Sequence, residues 1–207
     1  MRLHLLFLGF CCLCASAFGQ KTVTRSLSAF QEIALSGGFD KVILKEGKSE
    51  SVSIEAEGVD PDNILTEVQG NTLKIGMKKG SYRNCRINLN ITYQQLREIS
   101  NSGSSDIEAL NPIKGDVFEF NSSGSGNFTG SFDVKKLEIA ISGSSDMKLT
   151  GKAEKQEIAI SGSGDVNASA LNGSEAEVAI SGSGDVSLHV DGPVRSSVSG
   201  SGNVRNH

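Results

Sequence analysis

Tryptophan is absent from the 207-residue chain, and only two tyrosines and three prolines occur in it. That scarcity speaks against carbohydrate-stacking platforms and against mucin-like stalks. Cysteine is scarce as well. Cys11, Cys12 and Cys14 fall in the opening segment, which leaves Cys85 alone in the remainder and no intrachain disulfide to form. Histidine-based catalysis is nearly excluded, since only His189 and His207 follow that segment. Basic clusters are missing too. Residues 20–98 carry eleven Lys/Arg against ten Asp/Glu, and residues 99–207 carry eight against fourteen. An acidic half without a basic patch argues against nucleic acid or an anionic membrane as partner. Beyond the opening segment no apolar run approaches the roughly 20 residues of a spanning helix, so no transmembrane segment is expected. The fold must stand on its core alone.

The opening residues read as an export signal, with Arg2 as the charged region and Leu3 to Leu13 as an apolar core too short to cross a bilayer. Ala15-Ser16-Ala17 and Ala17-Phe18-Gly19 place small residues at cleavage offsets, and Gln20 is the expected mature start. A lipoprotein signal fits less well, because the bulky Phe10 and Leu13 precede Cys11 and Cys14. The expected organisation is a signal peptide over 1–19, a less regular β-region over 20–98 and a repeat region over 99–207. The protein is therefore expected to be exported, to the periplasm, the cell surface or the medium.

The repeat region is built on Ser-Gly-Ser-(Ser/Gly)-(Asp/Asn), which occurs six times, ending at Asp106, Asn127, Asp146, Asp165, Asp185 and Asn203. Successive copies are 21, 19, 19, 20 and 18 residues apart, and a degenerate copy, Ser36-Gly37-Gly38-Phe39-Asp40, lies earlier. An alternating segment precedes each of three motifs: Leu137 to Ile141, Glu157 to Ile160 and Glu177 to Ile180. Such period-two alternation reads as a half-buried strand. After each motif comes an apolar residue (Ile107, Phe128, Met147, Val166, Val186, Val204), with Ala109, Gly130, Leu149, Ala168 and Leu188 two places on. One face of every strand is committed to a core. A period near 19 traces about 60 Å of extended chain, one turn of a coil around a single layer of side chains. Stacked coils would align their copies about 4.8 Å apart. That pattern predicts an all-β chain folded as a right-handed parallel β-helix, with the variable stretches between corners absorbing slack. An antiparallel meander with Ser-Gly-Ser-Gly hairpin turns is the competing topology. In 20–98, strands are expected at 30–35, 41–45, 51–56, 64–68, 72–77 and 86–92, with this region covering one end of the stack.

The residues Ser36-Gly37-Gly38-Phe39-Asp40, the strand Ser51 to Gly58, Asn71-Thr72-Leu73-Lys74-Ile75 and the later Ile-Ser-Gly-Ser-Gly-Asp-Val copies resemble the GIN-type putative auto-transporter adhesin head domain of Gram-negative bacteria. The likeness runs over about residues 28–205. It implies a single-chain β-helix and a role in adhesion, and it brings no active site with it.

The one suggestive constellation is the corner column. Asp106, Asp146, Asp165 and Asp185, with Asn127 and Asn203, should stack along one edge, where like charges repel. Two accounts stay open. Each side chain could cap nearby backbone amides in an Asx-type turn, with Gly103, Gly124, Gly143, Gly162, Gly182 and Gly200 supplying positive φ. Alternatively, the oxygens could form a row of cation sites. Capping is preferred, because Asn already stands at two of the six positions and each coil offers one carboxylate. Glu138, Glu157 and Glu177 should align on an outward face beside Lys136 and Lys155, as a solvated wall more than as catalytic carboxylates. Cys85 has no histidine near it in sequence. No cofactor and no metal are expected. The expected function is that of a non-enzymatic adhesin or binding module for a glycan or surface-protein ligand. The alternatives are an envelope structural protein forming homo-oligomers through its coil ends and, behind both, a carbohydrate-active enzyme.

Overall fold

A computed structural model describes residues 20–207; the proposed signal peptide lies outside them. The described residues form seventeen strands and one short 3-10 turn at Pro61–Asn63. It winds as a parallel β-solenoid, the topology expected from the repeat. The front wall stacks β2 (Glu32–Ser36), β8 (Glu98–Asn101), the second halves of β10 (Ile113–Ser122), β11 (Phe128–Ile141) and β12 (Met147–Ile160), then β14 (Glu175–Gly182) and β16 (Val194–Gly200). The rear wall stacks β3 (Lys41–Glu46), β9 (Ile107–Ala109), the first parts of β11 and β12, β13 (Val166–Gly173), β15 (Val186–Val190) and β17 (Val204–Asn206). All these pairings are parallel. The antiparallel meander is excluded.

The stretches between corners are not slack. Ile113–Gly115 pairs with Phe132–Val134, which pairs with Gly151–Ala153, and Gly151 and Lys152 pair with Leu171 and Asn172. They form a short side wall, so β11 and β12 run unbroken for 14 residues each across it. Length variation is absorbed by register shifts instead, between Lys148 and Thr150 and between Asn167 and Asn172.

Period-two alternation sends every second residue inward, and the parallel register aligns these into continuous columns. One runs Leu73, Ile33, Ile99, Phe120, Ile139, Ile158, Val178; another runs Val42, Ile107, Phe128, Met147, Val166, Val186. All are buried. Each such side chain contributes about 1.5–3 kcal/mol through burial, which stabilises the coils with no disulfide among the described residues. Phe118, Phe120, Phe128 and Phe132 fill the middle, with ring centroids 4.8 to 6.0 Å apart. In the last described coil the columns are half open, and Val198 is 42% exposed.

The N-terminal end is closed by a rearranged coil order. β6 (Thr72–Met77) pairs in parallel with β2, and β7 (Arg86–Tyr93) pairs in parallel with β3, on the side away from β8 and β9. The outermost coil is thus later in sequence than its neighbour. Beyond it, β5 (Ile64–Gln69) lies antiparallel on β6, β4 (Ser51–Glu57) antiparallel on β7, and β1 (Lys21–Ser26) antiparallel on β4. Reversing strand direction at the edge covers the stack end. The Arg25 guanidinium ties this cover together, donating to Ile64 O at 2.6 Å, Thr66 Oγ1 at 2.8 Å and Pro61 O at 2.9 Å. The first strand, β1, carries no alternation and was not expected from sequence.

Candidate functional site

Each Ser-Gly-Ser corner continues the parallel ladder. Ser144 N donates to Gly124 O at 3.2 Å and Ser163 N to Gly143 O at 3.1 Å, while Ser104 N reaches Gly37 O of the degenerate copy. Successive corners lie almost in contact. A Cβ on Gly103, Gly124, Gly143 or Gly162 would fall 1.6 to 2.2 Å from the carbonyl oxygen of the glycine one coil away. Close approach is therefore what requires glycine at these four. The positive φ anticipated from sequence is present only at Gly37, Gly182 and Gly200 among the corner glycines.

The Asp/Asn side chains do not close turns within their own corner. Five of the six reach to the next coil: Asp106 Oδ1 accepts from Asn127 N at 3.0 Å, Asn127 Oδ1 from Asp146 N at 3.3 Å, and Asp146 Oδ1 from Asp165 N at 3.0 Å. Asp165 Oδ1 accepts from Asp185 N at 2.7 Å and Asp185 Oδ1 from Asn203 N at 2.8 Å. One side-chain oxygen per coil thus satisfies an amide that the turning backbone leaves free, and an amide oxygen serves as well as a carboxylate. The backbone N–H of Asn203, followed by its side-chain amide, holds the Asp185 carboxyl below the usual carboxylate range.

The outward face of the front wall is more distinctive. Glu98, Glu119, Glu138, Glu157 and Glu177 stand in one register column, continued by Glu32 at one end and Arg195 at the other. Sequence reasoning found three of these glutamates. The other three carried a signal, because each glutamate lies four residues before its corner serine. Lys136 bridges Glu138 at 2.5 Å and Glu157 at 2.8 Å, and Lys155 reaches Glu157 at 2.8 Å. Hydrogen bonds from Lys136 and then Lys155 hold the Glu157 carboxyl low. Glu98 accepts from Ser100 Oγ at 2.8 Å and from Asn121 Nδ2 at 3.3 Å. Glu119 has no such partner among the described residues. Burial, then the charges of Glu138 and Glu98, push its carboxyl up.

Two residues along each strand lies a column of small side chains: Ala34, Ser100, Asn121, Ala140, Ala159, Ala179 and Ser197. Beyond it runs the column of corner serines, including Ser142, Ser161, Ser181 and Ser199. The small column is a floor between taller glutamates and polar serines. Three adjoining depressions of about 420, 340 and 400 Å³ follow it, sharing Ala140. Seven rows at about 4.8 Å give a shallow trough of roughly 29 Å parallel to the solenoid axis. It offers repeated hydrogen-bonding groups at one-coil spacing on an open wall that does not exclude water.

The remaining candidates stay apart. Cys85 is half-buried at the start of β7, beside Asn84 at φ 53. His189 lies in β15, opposite Asn172. Six rear-wall strand steps separate β7 from β15, on the order of 29 Å, so no thiol–imidazole pair forms.

The model of a family described as putative auto-transporter adhesin, head GIN domain, matches residues 29–207. No curated protein matches the chain. The fold is shared with crystal structures of a putative adhesin from Bacteroides fragilis (TM-score 0.77, 20% identity, covering 91% of this chain and 97% of that one) and one from Parabacteroides merdae (0.77, 20%, 91% and 96%). A protein from Parabacteroides distasonis described as a putative lipid binding protein is similar too, with TM-score 0.69, 21% identity and coverage of 91% and 96%.

Proposed function

This chain belongs to the head GIN domain family of putative auto-transporter adhesins, and from that premise we propose that it is an exported, non-enzymatic binding module whose front-wall trough takes an extended chain-like ligand. The observation that carries this reading is the register of the front wall. It sets a floor of small side chains between a glutamate column and a serine column, repeated once per coil. An unbranched glycan advances by about one coil spacing per sugar, so its hydroxyls can meet Glu and Ser groups row after row. Without tryptophan or a deep pocket, each row binds weakly, and affinity accumulates through simultaneous contacts along the chain. Glu157 and Glu138 are held by Lys136, which leaves them as hydrogen-bond acceptors more than as acid or base.

A glycan array tests the reading when run with the wild type and with Ala159→Arg, which raises a long side chain from the trough floor. Retention of linear oligosaccharides is expected for the wild type, and its loss for the variant at an unchanged melting temperature. Equal retention by both proteins would remove the trough from consideration. Release of reducing ends from a retained glycan would overturn the non-enzymatic part.

A further inference from the structure

The corners also have an inner side. The residue before each corner serine forms one buried register column, Asn101, Ser122, Ile141, Ile160 and Ile180. The residue before each corner Asp/Asn is Ser105, Gly126, Ser145, Gly164, Gly184 or Gly202. The two sets meet across a one-coil step. A Cβ added to Gly184 would fall 3.2 Å from Ile160 Cγ2, and one added to Gly202 would fall 3.0 Å from Ile180 Cγ2. Among the described residues serine faces serine at one step only. Ser122 Oγ and Ser145 Oγ are 2.7 Å apart, with Ser122 3% and Ser145 0% exposed.

The two kinds of contact exclude each other. Isoleucine against glycine leaves no room: even a Cβ would sit tighter than close packing ordinarily allows, and a serine adds an oxygen beyond it. Serine against glycine leaves a buried hydroxyl with no partner, which is costly. Serine against serine resolves both. Ser145 Oγ also lies 3.3 Å from Gly124 O, so Ser122 donates to Ser145 while Ser145 donates to that carbonyl. Later corners cannot tell their neighbours apart, because Ile160 to Val166 and Ile180 to Val186 are the same seven residues, Ile-Ser-Gly-Ser-Gly-Asp-Val.

We propose that the Ser122–Ser145 pair is a register lock, a device that fixes the order in which the coils stack. Period-two alternation alone lets a coil pair with the wrong copy of its repeat. The lock blocks two such stackings. Leaving out the coil 128–146 would set Gly164 against Ser122 and strand the Ser122 hydroxyl. Exchange of coils between two copies of the chain would set Ser145 against Ile141 or Ile160 of the second copy and drive a hydroxyl into an isoleucine. A single buried polar contact serves in this way in coiled coils, where it specifies register at no gain in stability over an apolar pair. The lock is independent of the trough and stands whether or not the trough binds anything.

Ser122→Ile, Ser145→Gly and the double variant test it, since the double variant carries the isoleucine–glycine pair of the later coils. Each single substitution should lower the melting temperature by several degrees, and the double variant should regain most of that loss. After dilution from guanidinium chloride, the double variant should nevertheless give a several-fold larger fraction of dimer and aggregate than wild type, read by size-exclusion chromatography with light scattering. Because its melting temperature is regained, lower stability does not account for that difference. Losses that add in the double variant, or its failure to fold, would show that the two positions are not a matched pair. Refolding to the same distribution as wild type would show that the pair adds stability without fixing register. Either result would overturn the proposal.

Discussion

Gly143→Ala adds one methyl group at a corner with no room for it. The new Cβ would sit 1.9 Å from Gly124 O and 3.0 Å from Gly124 C, both backbone atoms. Close packing does not tolerate a contact under 3 Å, so the two corners must part by roughly 1 Å. The same Gly124 carbonyl accepts from Ser144 N at 3.2 Å and from Ser145 Oγ at 3.3 Å, and neither bond survives that displacement. The backbone of Gly143 is one that alanine adopts, so the whole cost comes from the contact. Overpacking costs about 1–3 kcal/mol, and losing the two hydrogen bonds, with Ser145 Oγ still held by Ser122 Oγ at 2.7 Å, adds about 0.5–1.5 kcal/mol each. The sum centres near 3 to 4 kcal/mol, which in a chain of this size lowers the melting temperature by roughly 10 °C. Gly38→Ala is the matched control. It lies in the degenerate corner, nothing stands within 4 Å of its added Cβ, and its change should stay within about 0.5 kcal/mol. Thermal melts by far-ultraviolet circular dichroism compare the two. A Gly143→Ala protein melting within 2 °C of wild type, or an equal drop in both variants, would refute the argument from corner contact.

Val166 is 1% exposed between Met147 and Val186 in an interior column, so Val166→Asp should cost about 3 kcal/mol or more, while the outward Asn167→Asp should stay within about 0.5 kcal/mol. Denaturant titration giving equal midpoints would contradict the assigned faces. The front-wall glutamates should respond to pH in opposite senses. Glu157, held low by Lys136 and Lys155, contributes stability that is present above its unfolded value of 4.5 and fades as pH falls through its lowered folded value. Glu119, raised by burial and by Glu138 and Glu98, contributes stability below 4.5 that is lost as pH rises through its raised folded value. Melting curves from pH 3 to pH 7 should therefore show Glu157→Gln less stable and Glu119→Gln more stable than wild type at pH 7, with both differences shrinking as pH falls. Shifts of the same sign at pH 7 would show that the column acts as one uniform charge.

Repetition is why so much of the architecture could be read from the chain. A segment repeated every 18 to 21 residues pairs best with its own copies, because in-register stacking buries the same apolar positions each time. Parallel topology, the inward columns through Phe128, Met147 and Val166, and the outward row of Glu138, Glu157 and Glu177 all follow from local alternation plus that spacing. Strand ends such as 72–77, outside the repeat, were legible from the turn residues Gly70-Asn71 and Lys79-Gly80 that bound them.

Tertiary structure decided what the repeat leaves undetermined. Alternation tells a strand which face to bury and not which neighbour to pair with. Only the folded chain places β6 and β7 outside β2 and β3, and reverses β1, β4 and β5 to cover the stack end. The aspartate at each corner is a local capping residue by type, yet its partner is an amide 18 to 21 residues away, because stacking brings the next coil's corner closer than its own turn. Glycine at Gly143 is demanded by a carbonyl from another coil, which no dihedral preference of its own segment reveals.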